Sequence, residues 1–267
     1  LPLPFELIAL RDTEQTRAFR KRLARSFVTI VTSESMKTLA LSAAPDMADR
    51  VRRVYNPLDI EDIRRKAAQT DGICAGDRDL LERKYLIMAS RLDERQKDIS
   101  SLLGAYARVK DRIPEDLCIL GSGADRERLE QRAAALGCGS RVVFPGRKNN
   151  PYPWLANATA VVHSSRLEGF PNVLLEALAL GKAILATDCK LGPAEILDNG
   201  MCGLLRDVGD VDGMAEGLER LVTDSELRRG LEKKAAERAK IFDAARVKDD
   251  FLQILEQALT RGAGSRM

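Results

Sequence analysis

The sequence predicts an α/β fold with a doubly wound parallel sheet, and three features of the chain support this prediction. Short apolar runs alternate with segments of helical periodicity from Lys84 onward. A Gly121-Ser122-Gly123 turn ends the second apolar run and precedes a helix rich in Arg and Glu. The last part of the chain has helical patterning throughout. Alternating strand and helix patterns of this kind are typical of repeated β-α units around a parallel sheet.

The apolar runs predict five strands, which are Tyr85–Ala89, Leu117–Leu120, Arg141–Phe144, Ala160–His163 and Ala183–Ala186. Apolar residues between the first two strands recur at helical spacing, namely Ile99, Leu102, Leu103, Tyr106 and Val109. Three more helices are predicted near the end of the chain, at Val211–Val222, Ser225–Lys240 and Ala244–Thr260. The elements up to residue 243 predict a Rossmann-like domain.

The sequence before Lys84 has a different pattern. Phe27–Val31 and Val51–Tyr55 predict two strands, and Glu34–Leu41 predicts a short helix between them. Two strands and a helix do not make a domain, and a start at Leu1-Pro2-Leu3-Pro4 suggests mid-protein sequence. We therefore interpret 1–56 as the remnant of a preceding domain, 57–83 as a linker, 84–243 as the Rossmann-like domain, and 244–267 as a final helix with its tail.

Composition limits the class of protein. The 267 residues are 45% hydrophobic, which predicts a globular chain, and the net charge of +3 argues against a dedicated nucleic-acid binder. The five scattered cysteines form no CxxC pair, which disfavours a zinc site and a disulfide framework and favours a reducing, cytoplasmic compartment. No apolar run is long enough for a membrane-spanning helix.

The most informative segment runs from Ser164 to Glu176 and has the sequence Ser-Ser-Arg-Leu-Glu-Gly-Phe-Pro-Asn-Val-Leu-Leu-Glu. It places a loop with a carboxylate after a predicted strand, and a helix with Pro171 near its first position follows. Ligands bind at this edge of open parallel sheets, and the N–H groups of a helix start suit a diphosphate. Glu168 and Glu176 could accept bonds from sugar and ribose hydroxyls, or be a helix cap and a solvated charge. An acid and nucleophile pair of a glycosidase stays open on spacing alone.

This segment resembles the motif of two glutamates found in the retaining family-four glycosyltransferases, which have the GT-B fold. Other segments agree with that family in the correct order from about Phe27 to Leu259. They are the hinge-like Tyr55-Asn56-Pro57-Leu58-Asp59, Ala89-Ser90-Arg91-Leu92 with Lys97-Asp98, Gly121-Ser122-Gly123, and Val142-Val143-Phe144-Pro145-Gly146. Ser90 stands where the family usually has Gly.

The resemblance implies a role for each matching residue. Arg91 and Lys97 match the basic pair that holds the donor diphosphate and stabilises its developing charge. Glu168 matches the glutamate that touches the donor sugar, and Glu176 matches the ribose-binding residue. The remaining donor-binding positions implied are Gly121, Gly123, Gly146, Phe170, Asn172 and Val173. Arg147 and Lys148 beside Gly146 could line the base or form a solvated turn.

The resemblance also implies a function. A UDP-hexose or UDP-N-acetylhexosamine would give its sugar, with retention and without a metal or other cofactor, to a glycan or lipid-linked acceptor. The donor site would lie in 84–243, 1–56 would belong to the acceptor domain, and 244–267 would cross back to it. Alternatives are a donor-domain fragment that binds nucleotide without turnover, and an epimerase or phosphorylase of the same architecture.

Three further features have plainer interpretations. His163, the only histidine, is interpreted as a structural residue with satisfied hydrogen bonds. Trp154 is interpreted as a packing residue. The basic residues of Arg17–Arg25, beside Phe19 and Leu23, form either a solvated helix face or a peripheral contact with anionic lipid at the inner membrane face.

Overall fold

The computed structural model describes residues 25–264 except Gly72, together with Arg17 and Lys21. The strands of this part of the chain are β1 (Thr29–Val31), β2 (Val51–Arg53), β3 (Tyr85–Ala89), β4 (Asp116–Leu120), β5 (Val142–Gly146), β6 (Ala160–His163), β7 (Ile184–Thr187) and β8 (Leu204–Arg206). Its α-helices are α1 (Glu34–Ala43), α2 (Ile60–Ala67), α3 (Ala75–Leu81), α4 (Glu94–Lys97), α5 (Ile99–Val109), α6 (Arg126–Ala135), α7 (Tyr152–Asn157), α8 (Asn172–Ala179), α9 (Pro193–Ile196), α10 (Val211–Thr223), α11 (Ser225–Ala239) and α12 (Ala244–Gly264).

The chain divides into two compact units. One is Leu58–Lys240, and the other combines the described residues of Leu1–Pro57 with those of Ile241–Met267. The assignment of acceptor, linker and donor parts to the chain stays a prediction, since compactness alone does not assign a role.

A six-stranded parallel sheet organises the larger unit, in the order β5-β4-β3-β6-β7-β8. Leu86 of β3 pairs with Leu117 of β4 on one side and with Ala160 of β6 on the other. The sheet therefore grows outward in both directions from β3 and β6. This confirms the predicted α/β class with a Rossmann-like, doubly wound parallel sheet.

Helices cover both faces of this sheet. Leu86 and Met88 of β3 join one buried cluster with residues of α5 and α10, such as Leu102 and Leu218. The helix α2 also belongs to this unit, and it packs against α7 and α8. In the central strands β3 and β6, buried residues occur consecutively, because strands covered on both faces have no solvent side.

The predicted strands of the larger unit agree with the observed ones within one or two residues. The sequence did not predict β8, which has three partly exposed residues and no apolar run. It also did not predict α2 and α3, which lie within the segment interpreted as a linker. Asp59 caps α2 by accepting the N–H of Asp62 at 2.8 Å, and Ile60 and Ile63 are its buried face.

The smaller unit contains a two-stranded parallel sheet of β1 and β2, with Thr29 paired to Val51. The Ser33 hydroxyl caps α1 by accepting the N–H of Met36 at 3.0 Å. The rings of Tyr55 and Phe242 meet edge to face with centroids 4.9 Å apart. The helix α12 extends four residues beyond the predicted Ala244–Thr260, to Gly264.

The basic segment Arg17–Arg25 is described only in part. Arg17, Lys21 and Arg25 are exposed, whereas Phe19 and Leu23 lie outside the described residues. The choice between a solvated face and a lipid contact therefore stays a prediction. None of the described helices has the length and apolar character needed to cross a bilayer.

Candidate functional site

The candidate site lies at the carboxyl ends of β3 and β6, the two neighbouring strands at which the strand order reverses. In doubly wound folds the loops that follow two such strands lead in opposite directions over the sheet, and a crevice for ligands forms at this edge. The segment between β3 and α5, which contains the short helix α4 and is called here the loop after β3, carries Arg91 and Lys97. The loop after β6 carries Glu168. The topology therefore brings together three residues that are far apart in the sequence.

The loop after β3 rests directly on the Gly-Ser-Gly turn after β4. A Cβ on Gly121 would lie 1.8 Å from the carbonyl oxygen of Ser90, and one on Gly123 would lie 2.2 Å from that of Leu92. Gly121 also has a φ of 146°, which side chains disfavour. Glycine is therefore needed at both positions, because the backbone of the loop that carries Arg91 leaves no room for a Cβ there.

Five bonds fasten the loop after β3 to the loop after β6. Gln96 contributes two, since its carbonyl accepts the N–H of Arg166 at 2.8 Å and its amide donates to the carbonyl of Leu167 at 3.1 Å. The Ser164 hydroxyl donates to the carbonyl of Lys97 at 2.8 Å. The last two are side-chain bonds, Arg166 to Asp98 at 2.6 Å and Lys97 to Glu168 at 2.5 Å. The two loops therefore form one joined surface.

The carboxylate of Glu168 is the centre of this surface. Its Oε1 accepts from Nζ of Lys97 at 2.5 Å and from the Ser165 hydroxyl at 2.6 Å, and Nε2 of His163 lies 3.2 Å away. The side chains of Lys97 and Glu168 are only 13% and 8% exposed. An ion pair this sheltered is screened little by solvent, so it fixes the carboxylate in place.

Electrostatics keep Glu168 ionised. Burial by itself raises the pKa of this carboxyl, but the hydrogen bonds from His163 and Lys97 outweigh burial and lower its pKa to about 2. The group therefore acts as a hydrogen-bond acceptor at neutral pH. A carboxylate in this state suits the recognition of hydroxyl groups, which donate to it.

Arg91 is the exposed cation of the site. Its Nη2 donates to the side-chain oxygen of Gln96 at 3.0 Å, so Gln96 links Arg91 to the loop after β6. The guanidinium has several further N–H groups that can bind an anion. Arg91 and Lys97 thus offer an exposed and a sheltered positive charge on the same loop.

The start of α8 lies at the end of the loop that carries Glu168. Pro171 is the N-cap and the helix begins at Asn172, so the proline lies next to the first helical position, as predicted. Phe170 is buried, whereas Asn172 is exposed and Val173 partly exposed in the first turn. The N–H groups at the start of a helix carry partial positive charge.

Glu176 lies one helical turn further along α8 and faces Tyr152 of α7. Burial raises the pKa of its carboxyl, and the hydrogen bond with Tyr152 partly offsets that rise. Its side chain is partly exposed. No contact between Glu176 and Glu168 is seen in the described part of the chain.

The end of β5 and the loop that follows it form a further part of the same sheet edge. Gly146 has a φ of 78°, and its carbonyl accepts the N–H of Gly121 at 3.1 Å. Arg147 is exposed, but Lys148 forms an ion pair with Asp77 at 2.5 Å and lies 5.4 Å from the centre of the Trp154 ring. Trp154 is 4% exposed, as the packing interpretation expects.

His163 corrects one interpretation made from the sequence. Its Nε2 contacts Glu168, but its Nδ1 is buried without a hydrogen-bond partner. It is therefore not a histidine with satisfied hydrogen bonds. Gln96 and Ser165 also contact the predicted site residues and were not predicted. A polar residue ending an apolar strand was the available signal for His163, but Gln96 gave none.

A metal site receives no support from the described side chains, among which no group of three or more His, Cys, Asp or Glu residues is placed to hold an ion. The five cysteines are free thiols, and Cys74 is the exposed one. What the site offers is two cations and a helix start for an anion, and carboxylates for hydroxyl groups.

Comparison with known proteins finds a family model that matches this chain. The family model described as "Glycosyl transferases group 1" matches residues 78–238, which include all the candidate site residues. The chain is 34% identical over 202 residues to N-acetylgalactosamine-N,N'-diacetylbacillosaminyl-diphospho-undecaprenol 4-alpha-N-acetylgalactosaminyltransferase of Campylobacter jejuni, covering 76% of this chain and 52% of that protein.

Two other proteins are similar. The lipopolysaccharide core biosynthesis glycosyltransferase LpsE of Rhizobium meliloti is 34% identical over 161 residues, which is 60% of this chain and 46% of that protein. The crystal structure of Anabaena Alr3699/HepE in complex with UDP has a TM-score of 0.81 at 20% identity, covering 92% of this chain and 68% of that chain. This chain spans about half the length of the two curated relatives.

Proposed function

Because this chain belongs to the glycosyl transferases group 1 family, we propose that it is the donor-binding part of a retaining glycosyltransferase. The donor is a UDP-hexose or a UDP-N-acetylhexosamine, and the acceptor is a glycan or a lipid-linked saccharide. The observation that carries the proposal is the cluster of Arg91, Lys97 and Glu168 at the point where the strand order of the sheet reverses.

The comparisons support the two substrates at a coarser level. HepE, whose fold this chain shares, was crystallised with UDP. The Campylobacter relative is named for transfer to a diphospho-undecaprenol-linked saccharide, and LpsE is named for lipopolysaccharide core biosynthesis. These names favour a UDP-sugar donor and a lipid-linked or surface glycan acceptor for the whole protein.

The donor diphosphate occupies the crevice beside Arg91 and Lys97. Two cations and the N–H groups at the start of α8 neutralise it, which is a role that a divalent cation has in other enzymes. Lys97 exchanges its bond with Glu168 for one with the diphosphate. Glu168 then accepts bonds from hydroxyls of the sugar, and Glu176 accepts from the ribose.

Transfer breaks the bond between the anomeric carbon and the oxygen of the leaving diphosphate. The acceptor oxygen forms its bond to the same carbon on the same face, and its proton passes to the leaving diphosphate. Negative charge grows on the diphosphate as the bond breaks, so Arg91 and Lys97 stabilise the transition state more than the ground state. The configuration of the sugar is retained.

A product assay tests this proposal. The protein is incubated with a short undecaprenyl-diphosphate saccharide and one nucleotide-sugar at a time. The nucleotide-sugars are UDP-glucose, UDP-galactose, their N-acetylhexosamine counterparts and GDP-mannose. NMR identifies the products. An α-linked product from an α-linked UDP-sugar supports retaining transfer. A β-linked product contradicts it, and an epimerised nucleotide-sugar formed without acceptor identifies an epimerase. A sugar 1-phosphate released from a glycan incubated with inorganic phosphate identifies a phosphorylase. Lys97→Met is the variant expected to lose the product.

A further inference from the structure

His163 is an unusual residue for its position. It ends β6 after three buried apolar residues, Ala160, Val161 and Val162, and is itself 2% exposed. A polar ring in this setting stabilises the fold only if its nitrogens are hydrogen-bonded. Nε2 lies 3.2 Å from Oε1 of Glu168, whereas Nδ1 has no partner.

The two ring nitrogens therefore contribute differently. A buried polar atom without a partner destabilises a fold, so an apolar side chain at position 163 would pack at lower cost. The bond to Glu168 is the one hydrogen bond that the imidazole makes in the described structure. Because the ionised carboxylate can only accept, Nε2 donates to it, and Nδ1 is left without a hydrogen-bond partner.

The arrangement of donors around Glu168 shows what this bond provides. Lys97, Ser165 and His163 all converge on the same carboxylate oxygen. Lys97 belongs to the loop after β3 and is 13% exposed at the crevice, while His163 and Ser165 are buried in the strand and loop that precede Glu168. Lys97 can exchange partners at this edge, whereas His163 is enclosed in the core, with Glu168 as its one described hydrogen-bond partner.

We infer that His163 is a positioning residue, which holds Glu168 through Nε2 so that the carboxylate keeps its orientation toward the donor sugar when Lys97 engages the diphosphate. The inference rests on the proposed function. His163 touches Glu168 and not the donor, so its loss affects the recognition of the sugar and leaves the recognition of UDP intact.

The test compares the binding of UDP-sugars with the binding of UDP by calorimetry, using wild type, His163→Leu and His163→Gln. Leu suits the apolar strand but cannot donate, whereas the Gln amide can replace the Nε2 donor. For the UDP-sugar that wild type binds, we expect His163→Leu to lower the affinity ratio of UDP-sugar to UDP about tenfold, and His163→Gln to restore most of it. The affinity for UDP itself should stay within about twofold.

Val161→Ala is the structural control, because Val161 is buried in the same strand and makes no contact with Glu168 among the bonds described. It should lower stability and leave the affinity ratio unchanged. A second readout needs no ligand: NMR titration should show a higher pKa for the Glu168 carboxyl in His163→Leu and a low one in His163→Gln.

Three results would overturn the inference. They are an unchanged affinity ratio in His163→Leu, an equal loss in Val161→Ala, and a pKa of Glu168 that does not respond to His163→Leu. In each of these cases a wild-type protein that binds UDP leaves the proposed function standing. If wild type binds neither UDP nor any UDP-sugar, the proposed function fails and the inference fails with it.

Discussion

Nζ of Lys97 lies 2.5 Å from Oε1 of Glu168 and joins the loops after β3 and β6 at the centre of the sheet edge. The pair is one of five bonds between these loops, and both side chains are largely sheltered from solvent. Removing one charge of such a pair leaves the other without compensation, so its effect differs from that of a surface ion pair.

Lys97→Met should lower the free energy of unfolding by about 2 kcal/mol, because Glu168 keeps its bonds from Ser165 and His163 but loses its countercharge. The double variant Lys97→Met/Glu168→Gln should recover more than half of this loss, since no charge is then left unpaired. Urea unfolding of the two single variants and the double variant measures the coupling. Simple additivity of the two changes would contradict a direct interaction.

Stability should depend on pH through Glu168. Its pKa is about 2 in the folded protein against an ordinary 4.5, so its contribution is fully present above 4.5 and is lost as pH falls toward 2. Between about pH 6 and about pH 3, wild type should lose about 2 kcal/mol more stability than Glu168→Gln. Parallel pH profiles of unfolding for these two proteins would show that the carboxyl has an ordinary pKa.

Gly121→Ala should destabilise the larger unit by about 3 kcal/mol or more, because its Cβ would lie 1.8 Å from the carbonyl oxygen of Ser90. Gly230→Ala is a matched control, since that glycine lies within α11 with no atom near the added Cβ. The control should stabilise the protein by about 0.5–1 kcal/mol. Equal tolerance of both changes in thermal unfolding would refute the close packing of the two loops.

Glu176 should recognise ribose hydroxyls. Glu176→Ala is expected to weaken UDP binding about tenfold or more, and wild type should prefer UDP over its 2′-deoxy or 3′-deoxy analogue by a similar factor. The variant should lose that preference, because the acceptor for the hydroxyl is gone. Calorimetry with the three nucleotides measures this, and a preference that survives in Glu176→Ala would place the ribose elsewhere.

A thiol-specific reagent should react with Cys74, the exposed cysteine, in the native protein. Burial raises the pKa of the Cys118 and Cys189 thiols to about 12, which removes the reactive thiolate at neutral pH. Iodoacetamide should therefore modify Cys74 in the native protein and all five cysteines after denaturation. Native labelling of Cys118 or Cys189, read by mass spectrometry, would show that these strands and loops open in solution.

The central sheet could be predicted from the sequence because its strands are covered on both faces. Short runs of consecutive apolar residues, as in β3 and β6, are typical of buried parallel strands when they alternate with helical patterns. The strand β8 lacks this signal, since its three residues are partly exposed. The helix α2 was missed because charged residues dominate it and only Ile60 and Ile63 mark its buried side.

The candidate site could be predicted as a set of residues but not as a set of contacts. The sequence around Glu168 and the order of the other segments predicted Arg91, Lys97 and Glu168 as site residues, and the structure brings Lys97 and Glu168 into contact. The sequence contains nothing to show that Gln96 joins the two loops, because that contact depends on the packing of β3 beside β6. The partner of His163 likewise depends on how the loop after β6 folds back.

Calorimetric titration of UDP into wild type, Lys97→Met and Lys240→Met tests the central claim most directly. Lys240 is the control, because it is also a lysine paired with a glutamate, Glu237. It is 66% exposed and is the last residue of the larger unit. The donor site predicts that UDP binds wild type and Lys240→Met equally, and binds Lys97→Met about tenfold or more weakly. UDP binding that is the same in all three proteins would contradict a diphosphate site at the point where the strand order reverses.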